Sequence, residues 1–404
     1  MLNVLTPEEA LNLIHSEFEG STSQIQVLPI SSCLGRVLAQ NIVAQEYVPD
    51  FNRSTVDGYA VKARDTFGCS DSLPAMLTLS GEVKMGIHAD FEIKDGCCAY
   101  IPTGGELPQG ADAVVMIEYT ESYGDGTVGI AKSVAPGANI IFRGDDVSPD
   151  KEILSAGRKL RAEDIGALAA LGIAEVKVYK KPRVAVISTG DELIHHTEKP
   201  SLGQIRDVNT PMLCALVDSF GAEAVPCGII RDEEALLFDA VKSACDKFDL
   251  ILISGGSSVG TKDATSRVIE KLGTLLFHGL AMKPGKPTIL GKVGNKPVIG
   301  LPGHPAAAFF VTDIFVKELI NVMLSTENEN VFVNAKLCEA VSANHGRAQY
   351  TAVKLKKENS ELYALPIRSK SGLISSLAGA DGYFCISRDS EGCAKGDEIK
   401  VILR

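Results

Sequence analysis

What this 404-residue chain lacks narrows its class before any motif is read. Its ten cysteines include no C-x-x-C and no paired zinc-ligand spacing, and they scatter through apolar contexts, so they read as reduced thiols of a cytosolic protein. No apolar run approaches the ~18 residues of a membrane helix. The start, MLNVLTPEEALNLI, has neither a basic stretch nor a long apolar core, which argues against a secretory leader. A cytoplasmic protein without a membrane partner is the expectation. Positive charge is also short: 40 Lys and Arg against 51 Asp and Glu give a net charge of −11, which argues against general nucleic-acid binding but leaves room for one local basic pocket.

The common nucleotide and nucleophile signatures are missing as well. A Walker loop needs G-x-x-x-x-G-K-[ST]; counted from Gly255, Gly260 falls in place, but Thr261 stands where lysine is required. Lys286 has no glycine at the required upstream position, and G-x-G-x-x-G is not found. No Ser-His-Asp or Cys-His arrangement can be defended.

What is present centres on the run DLILIS (249–254), which reads as a strand buried on both faces, followed by GGSSVG (255–260). Gly255, Gly256 and Gly260, with Ser258 between them, form a turn whose backbone N–H groups can meet an anion, and Asp263 opens a helical pattern. Two segments repeat the arrangement: RVAVIS (183–188) leads into TGDEL, and PVIGL (297–301) leads into Pro302-Gly303-His304-Pro305 and a long apolar helix. Ligands in open α/β sheets bind beyond the carboxyl ends of the strands. Three such ends therefore predict one crevice; three ordinary strand-to-helix turns are the alternative. Asp191, Glu192, Asp232 and Asp263 each follow a predicted strand and would repel one another unless a hard cation, Mg²⁺ foremost, neutralises them. Lys283 and Lys286 flank a stiff Pro-Gly and suit a phosphate or oxyanion. His304 is a candidate ligand or acid/base group.

Alternating strands and helices from 178 to 324 give the α/β class. Residues 46–145 carry short strands and many turn residues and read as an inserted β domain. Residues 1–45 and 146–177 read as a helical linker domain, with the helix 160–171 beside the N-terminal helices, and 325–404 reads as a C-terminal β-barrel or sandwich. Asp263 also fits as a helix cap.

Taken together, NRSTVDGYAV (52–61), IPTGG (101–105), RGDDV (143–147), LGIAEV (171–176), STGDEL (188–193), GIIRD (228–232), SGGSSVGTKD (254–263), MKPGKP (282–287) and GLPGHP (300–305) resemble the MoeA-type molybdopterin molybdenumtransferases, the family of the gephyrin E domain. The resemblance implies a multidomain α/β plus β chain, its central MogA-like domain binding a pterin. It implies insertion of molybdate into adenylylated molybdopterin with Mg²⁺-assisted release of AMP. A homodimer is implied, and a molybdopterin adenylyltransferase and acceptor molybdoenzymes stand as possible partners. By motif match Glu192, Asp232 and Asp263 would face nucleotide or metal, and Asp57, Thr103 and Asp146 would contribute from the β domain of the other subunit. Lys283, Lys286, Pro302 and Pro305 would shape the anion pocket, and Arg347 matches the family's GR-x-x-F-x-R pattern.

Departures from the family pattern are specific. His304 stands for asparagine, Ser257 for valine, Gly279 for a basic residue, Ala307 for serine and Ala352 for arginine. Losing a charge-assisted bond costs ~1.5–3 kcal/mol, so a weaker oxyanion site is expected, with Lys354 on the same strand face as the substitute. A non-inserting molybdopterin-binding or carrier paralogue is the alternative, and a pterin nucleotidyltransferase a weaker one.

Overall fold

The computed structural model describes residues 4–255, 259–327, 330–343, 345–367 and 374–404, with only the backbone for 259–263 and Ser376. Gly256 and Ser258, two of the expected anion-loop residues, lie outside the described residues, as does the side chain of Asp263.

The central domain is built on a six-stranded sheet. Its order is Glu223–Ile230, Arg183–Thr189, Leu250–Gly255, Lys296–Leu301, Ile289–Val293, Thr274–His278. The first four strands are parallel and the last two antiparallel. The apolar runs are explained by two-sided burial, because successive side chains point to opposite faces. Val184, Val186, Leu250, Leu252 and Ile299 face the helices Asn209–Ser219 and Pro305–Val311. Ala185, Ile187, Ile251, Ile253 and Val298 face the helices Glu234–Lys247 and Val259–Leu272. The long apolar helix expected after Pro305 is interrupted by a π-helical turn, Thr312–Val316, before it resumes at Lys317–Leu324.

The inserted region forms its own sheet, ordered Ala113–Met116, Gly58–Val61, Cys97–Ile101, Ala75–Glu82, Thr127–Ile130, Thr120–Ser122. Its core of Val61, Leu77, Cys98, Val115, Val128 and Ile130 is separate from the central one. The chain enters and leaves it side by side: Val48 bonds backbone to backbone with Val147, at 2.8 and 3.1 Å.

At the C-terminal end Ala348–Glu358, Glu361–Pro366, Phe332–Leu337, Glu398–Leu403 and Gly382–Ile386 close into a five-stranded barrel. A short strand from the central domain, Met282–Lys283, adds to it in parallel with Ala348 and Gln349.

The linker segment differs from the expectation. The helix Pro7–Phe18 buries Ala10, Ile14 and Phe18 in the core of the central domain and does not pair with the helix Ala162–Ala170. That second helix packs with Cys33, Leu38, Ile42, Val176 and Val178. In place of a second N-terminal helix there is a 3-10 turn, Ile30–Ser32, next to a two-stranded sheet of Ile25–Pro29 and Glu175–Tyr179. Pairing across 150 residues outweighs local propensity here.

Candidate active site

The parallel strands end in a polar cluster. The Thr189 hydroxyl donates to Asp232 Oδ1 at 2.7 Å, and the Asp232 N–H donates to Asp191 Oδ1 at 3.3 Å. Glu192 folds back over Gly190, where a Cβ would stand 2.8 Å from Glu192 Oε2, so a side chain at 190 would push that carboxylate aside. Asp207 starts the next helix by accepting from the Asn209 and Thr210 N–H groups at 3.1 Å each. Buried Asn209 then donates through Nδ2 to Ser254 Oγ at 2.8 Å and to the Gly303 carbonyl at 2.9 Å. One side chain thereby ties the end of the strand Leu250–Gly255 to the Pro302 loop. Its Oδ1 is buried without a hydrogen-bond partner among the described residues. Asp207, Asn209 and Thr189 were not singled out from sequence, although Asp-x-Asn-Thr at a helix start is a recognisable Asx signal.

The Pro302 loop is also a wall of a second space. A cavity of about 710 Å³ opens between the central domain and the barrel. Lys283, Lys286, His304 and Arg347 line it, all exposed, with Pro302 and Gly303 beside them. The lysine loop is held by Gly285, whose φ is +124° and whose Cβ would come within 2.9 Å of Met282 Sδ and Val311 Cγ2. The opposite wall is apolar and aromatic: Phe310, Tyr350, Ile367 and Leu377. Burial pushes the Tyr350 phenol well above its usual range, with Cys385 adding to it, so Tyr350 stays neutral. Cations on one side and a dry wall on the other suit a compact oxyanion.

The expected residues therefore do not all come together. Lys283, Lys286, Pro302, His304 and Arg347 come together at the cavity, with Pro305 next in the chain. Gly255, Asp191, Glu192 and Asp232 sit at the adjacent strand ends. Asp57 and Thr103 meet each other in the inserted domain, where the Thr103 N–H and hydroxyl donate to Asp57 Oδ1 at 2.7 and 3.0 Å. Asp146 lines a different hollow with Val48 and Lys151. None of these three lines the cationic cavity of its own chain. Gly260 and Asp263 belong to a helix that already begins at Val259, so Asp263 lies inside its first turns and is not the cap. No group of three or more His, Cys, Asp or Glu side chains that could hold a metal forms among the described residues.

Three family models cover the chain in order. They are the MoeA N-terminal region (domain I and II) at residues 5–172, a probable molybdopterin binding domain at 185–321 and the MoeA C-terminal region (domain IV) at 334–403. A putative molybdopterin biosynthesis protein of Methanocaldococcus jannaschii is 34% identical, over 96% of this chain and 94% of its own length. The chain belongs to the MoeA family. The Bacillus subtilis molybdopterin molybdenumtransferase is 31% identical over 100% of this chain and 95% of its own. The crystal structure of a Pyrococcus horikoshii MoeA protein superposes with a TM-score of 0.84 at 36% identity, over 99% of both chains.

Against the MoeA pattern, two departures gain a location. Ala307 and Ala352 both line the cavity, so the serine and arginine of the pattern are lost from its wall. Gly279 does not line it; its carbonyl accepts from the Leu5 N–H at 3.2 Å. The expected substitute fails: Lys354 is exposed, opposite Leu365 in the barrel, and outside the cavity lining, because the strand has already run past the opening.

Proposed function

We infer that this chain is a molybdopterin molybdenumtransferase that acts in molybdenum cofactor biosynthesis. The observation that carries the reading is the cavity where Lys283, Lys286 and Arg347 converge beside the carboxyl edge of the pterin-domain sheet. In this reading the three cations hold molybdate by charge-assisted bonds and orient it toward the dithiolene of adenylylated molybdopterin lying along the strand ends. Asp191, Glu192 and Asp232 offer only hard oxygen donors. The Asp232 N–H donates to the Asp191 carboxylate, and Mg²⁺ commonly takes one or two carboxylates together with substrate phosphates. The three side chains do not form a metal site by themselves, so one or two of them would hold Mg²⁺ together with a substrate phosphate, where the ion would supply charge neutralisation. The Thr189 hydroxyl holds Asp232 in place through its Oδ1.

A homodimer follows as part of the proposal. Asp57, Thr103 and Asp146 lie away from the cavity of their own chain, so a second copy would have to bring them to it.

The test uses the purified full-length chain with adenylylated molybdopterin and Mg²⁺. AMP should appear when molybdate is added and not before. Lys283→Ala should raise the half-saturating molybdate concentration by roughly tenfold or more, matching ~1.5–3 kcal/mol for a lost charged bond. No molybdate-dependent AMP at any concentration would remove the reading. Ala307 and Ala352 in the cavity wall favour a second reading, a carrier that holds the pterin without inserting metal. Stoichiometric pterin retention with no AMP release would select it.

A further inference from the structure

We propose that a second hollow, at the amino-terminal edge of the central sheet, is a binding site for a small phosphate-bearing anion. It encloses about 410 Å³, within the ~300–1,000 Å³ typical of small-molecule sites. Lys180, Lys181, Arg183, Lys247 and Lys296 line it, with Asp249 as the one carboxylate. Arg183 and Lys296 begin their strands, and Asp249 immediately precedes the strand Leu250–Gly255. The hollow therefore lies one strand length from Thr189 and the candidate active site. That is about 20 Å for seven residues at ~3.3 Å each.

The charges in it are not balanced by the protein. Asp249 Oδ2 already accepts from the Arg183 N–H at 2.7 Å. The Arg183 guanidinium bonds the Lys247 carbonyl at 3.2 Å and stands 3.6 Å from Glu223, and Lys296 donates to the Cys245 carbonyl. Among the described residues Lys180, Lys181 and Lys247 have no carboxylate within salt-bridge distance, whereas exposed Lys271, Lys336 and Lys356 each do. Lys247 also answers the carbonyl end of its own helix. Lys180 and Lys181 sit between the strands Glu175–Tyr179 and Arg183–Thr189, and no helix end explains them. A chain with 51 acidic residues leaves a pocket of five cations with one engaged carboxylate. Converging like charges repel, and a bound anion removes that cost.

The rest of the lining identifies the anion's class. Ser21, Thr22 and Ser23 place hydroxyls on the rim, donors that complement ammonium groups around phosphate oxygens. The patch is a half-open hollow on an acidic molecule and not a basic stripe, which fits a compact ligand better than a nucleic-acid strand. A phosphomonoester and an inorganic polyphosphate share this chemistry.

The experiment is calorimetric titration of the full-length chain with pyrophosphate, and separately with AMP, at fixed low ionic strength. Three proteins are compared: the natural chain, Lys180→Gln with Lys181→Gln, and Lys283→Ala with Lys286→Ala. Saturable binding by at least one probe should persist in the Lys283 and Lys286 variant and weaken at least tenfold in the Lys180 and Lys181 variant. Molybdate-dependent AMP release, measured without added phosphate compounds, should be the same in the Lys180 and Lys181 variant as in the natural chain. Which probe binds tells a phosphomonoester site from a polyphosphate site. Equal affinity in the natural chain and the Lys180 and Lys181 variant overturns the proposal. So does binding lost only with Lys283 and Lys286, or no saturable binding of either probe. The outcome is independent of whether the chain inserts molybdenum.

Discussion

Asp164 shows how one carboxylate starts a helix and sets a pH limit. It is buried, which by itself would raise its pKa, yet Arg158 Nε and the Arg161 N–H each donate to it at 2.9 Å and hold it below the usual aspartate range. A depressed folded-state pKa adds stability above the unfolded value of ~3.9, and that stability is lost as pH falls through the folded value. Asp164→Asn should therefore cost roughly 1–3 kcal/mol at neutral pH by urea unfolding, and the gap to the natural chain should close under acid, below about pH 4. All ten cysteines are free, and burial pushes the Cys98 thiol up to about 12. Single-residue chemistry was legible where it is local. Thr6 and Glu9 form the reciprocal cap their spacing announces. Asn209 was not legible, because its partners Ser254 and Gly303 lie 45 and 94 residues away.

Among the elements, the broken helix 305–324 carries the contact that fixes the cavity's width. Its π-turn presents buried Asp313 to the barrel, where the Tyr383 hydroxyl donates to Oδ2 at 2.6 Å and Arg404 pairs with Oδ1 at 2.6 Å. Burial first, and then the Asp313 carboxylate, drive the Tyr383 phenol well above its ordinary range, so it remains a donor at any physiological pH. Tyr383 packs edge-on against Phe310, which lines the cavity. Tyr383→Phe should cost about 1.5–3 kcal/mol, and Asp313→Asn more, near ~3–5 kcal/mol, because it strands the Arg404 charge. A double-mutant cycle in urea unfolding should show the two losses to be coupled and less than additive. Apolar strand runs and strand-to-helix turns gave the central sheet almost residue by residue. The helix start at Val259 did not show, since Ser257, Ser258, Val259 and Gly260 are all weak helix formers. The strand Met282–Lys283 was hidden too, as its partner Ala348 comes 66 residues later.

For the molecule as a whole, the order of domains and the C-terminal barrel were readable from composition and turn spacing, and which strands close that barrel and where the first helix docks were not. Both depend on contacts between distant segments that no local pattern encodes. The inserted domain, by contrast, has a core made only of its own residues. A chain of residues 49–146 should fold alone, with a single cooperative thermal transition by circular dichroism; a broad, non-cooperative melt would show that it leans on the rest. Its backbone bonds at Val48 and Val147 make one narrow doorway out of the scaffold and back. A module that leaves and returns through one doorway keeps its two ends side by side. A short turn joining Val48 to Val147 would therefore excise it and leave the remaining hydrophobic cores untouched.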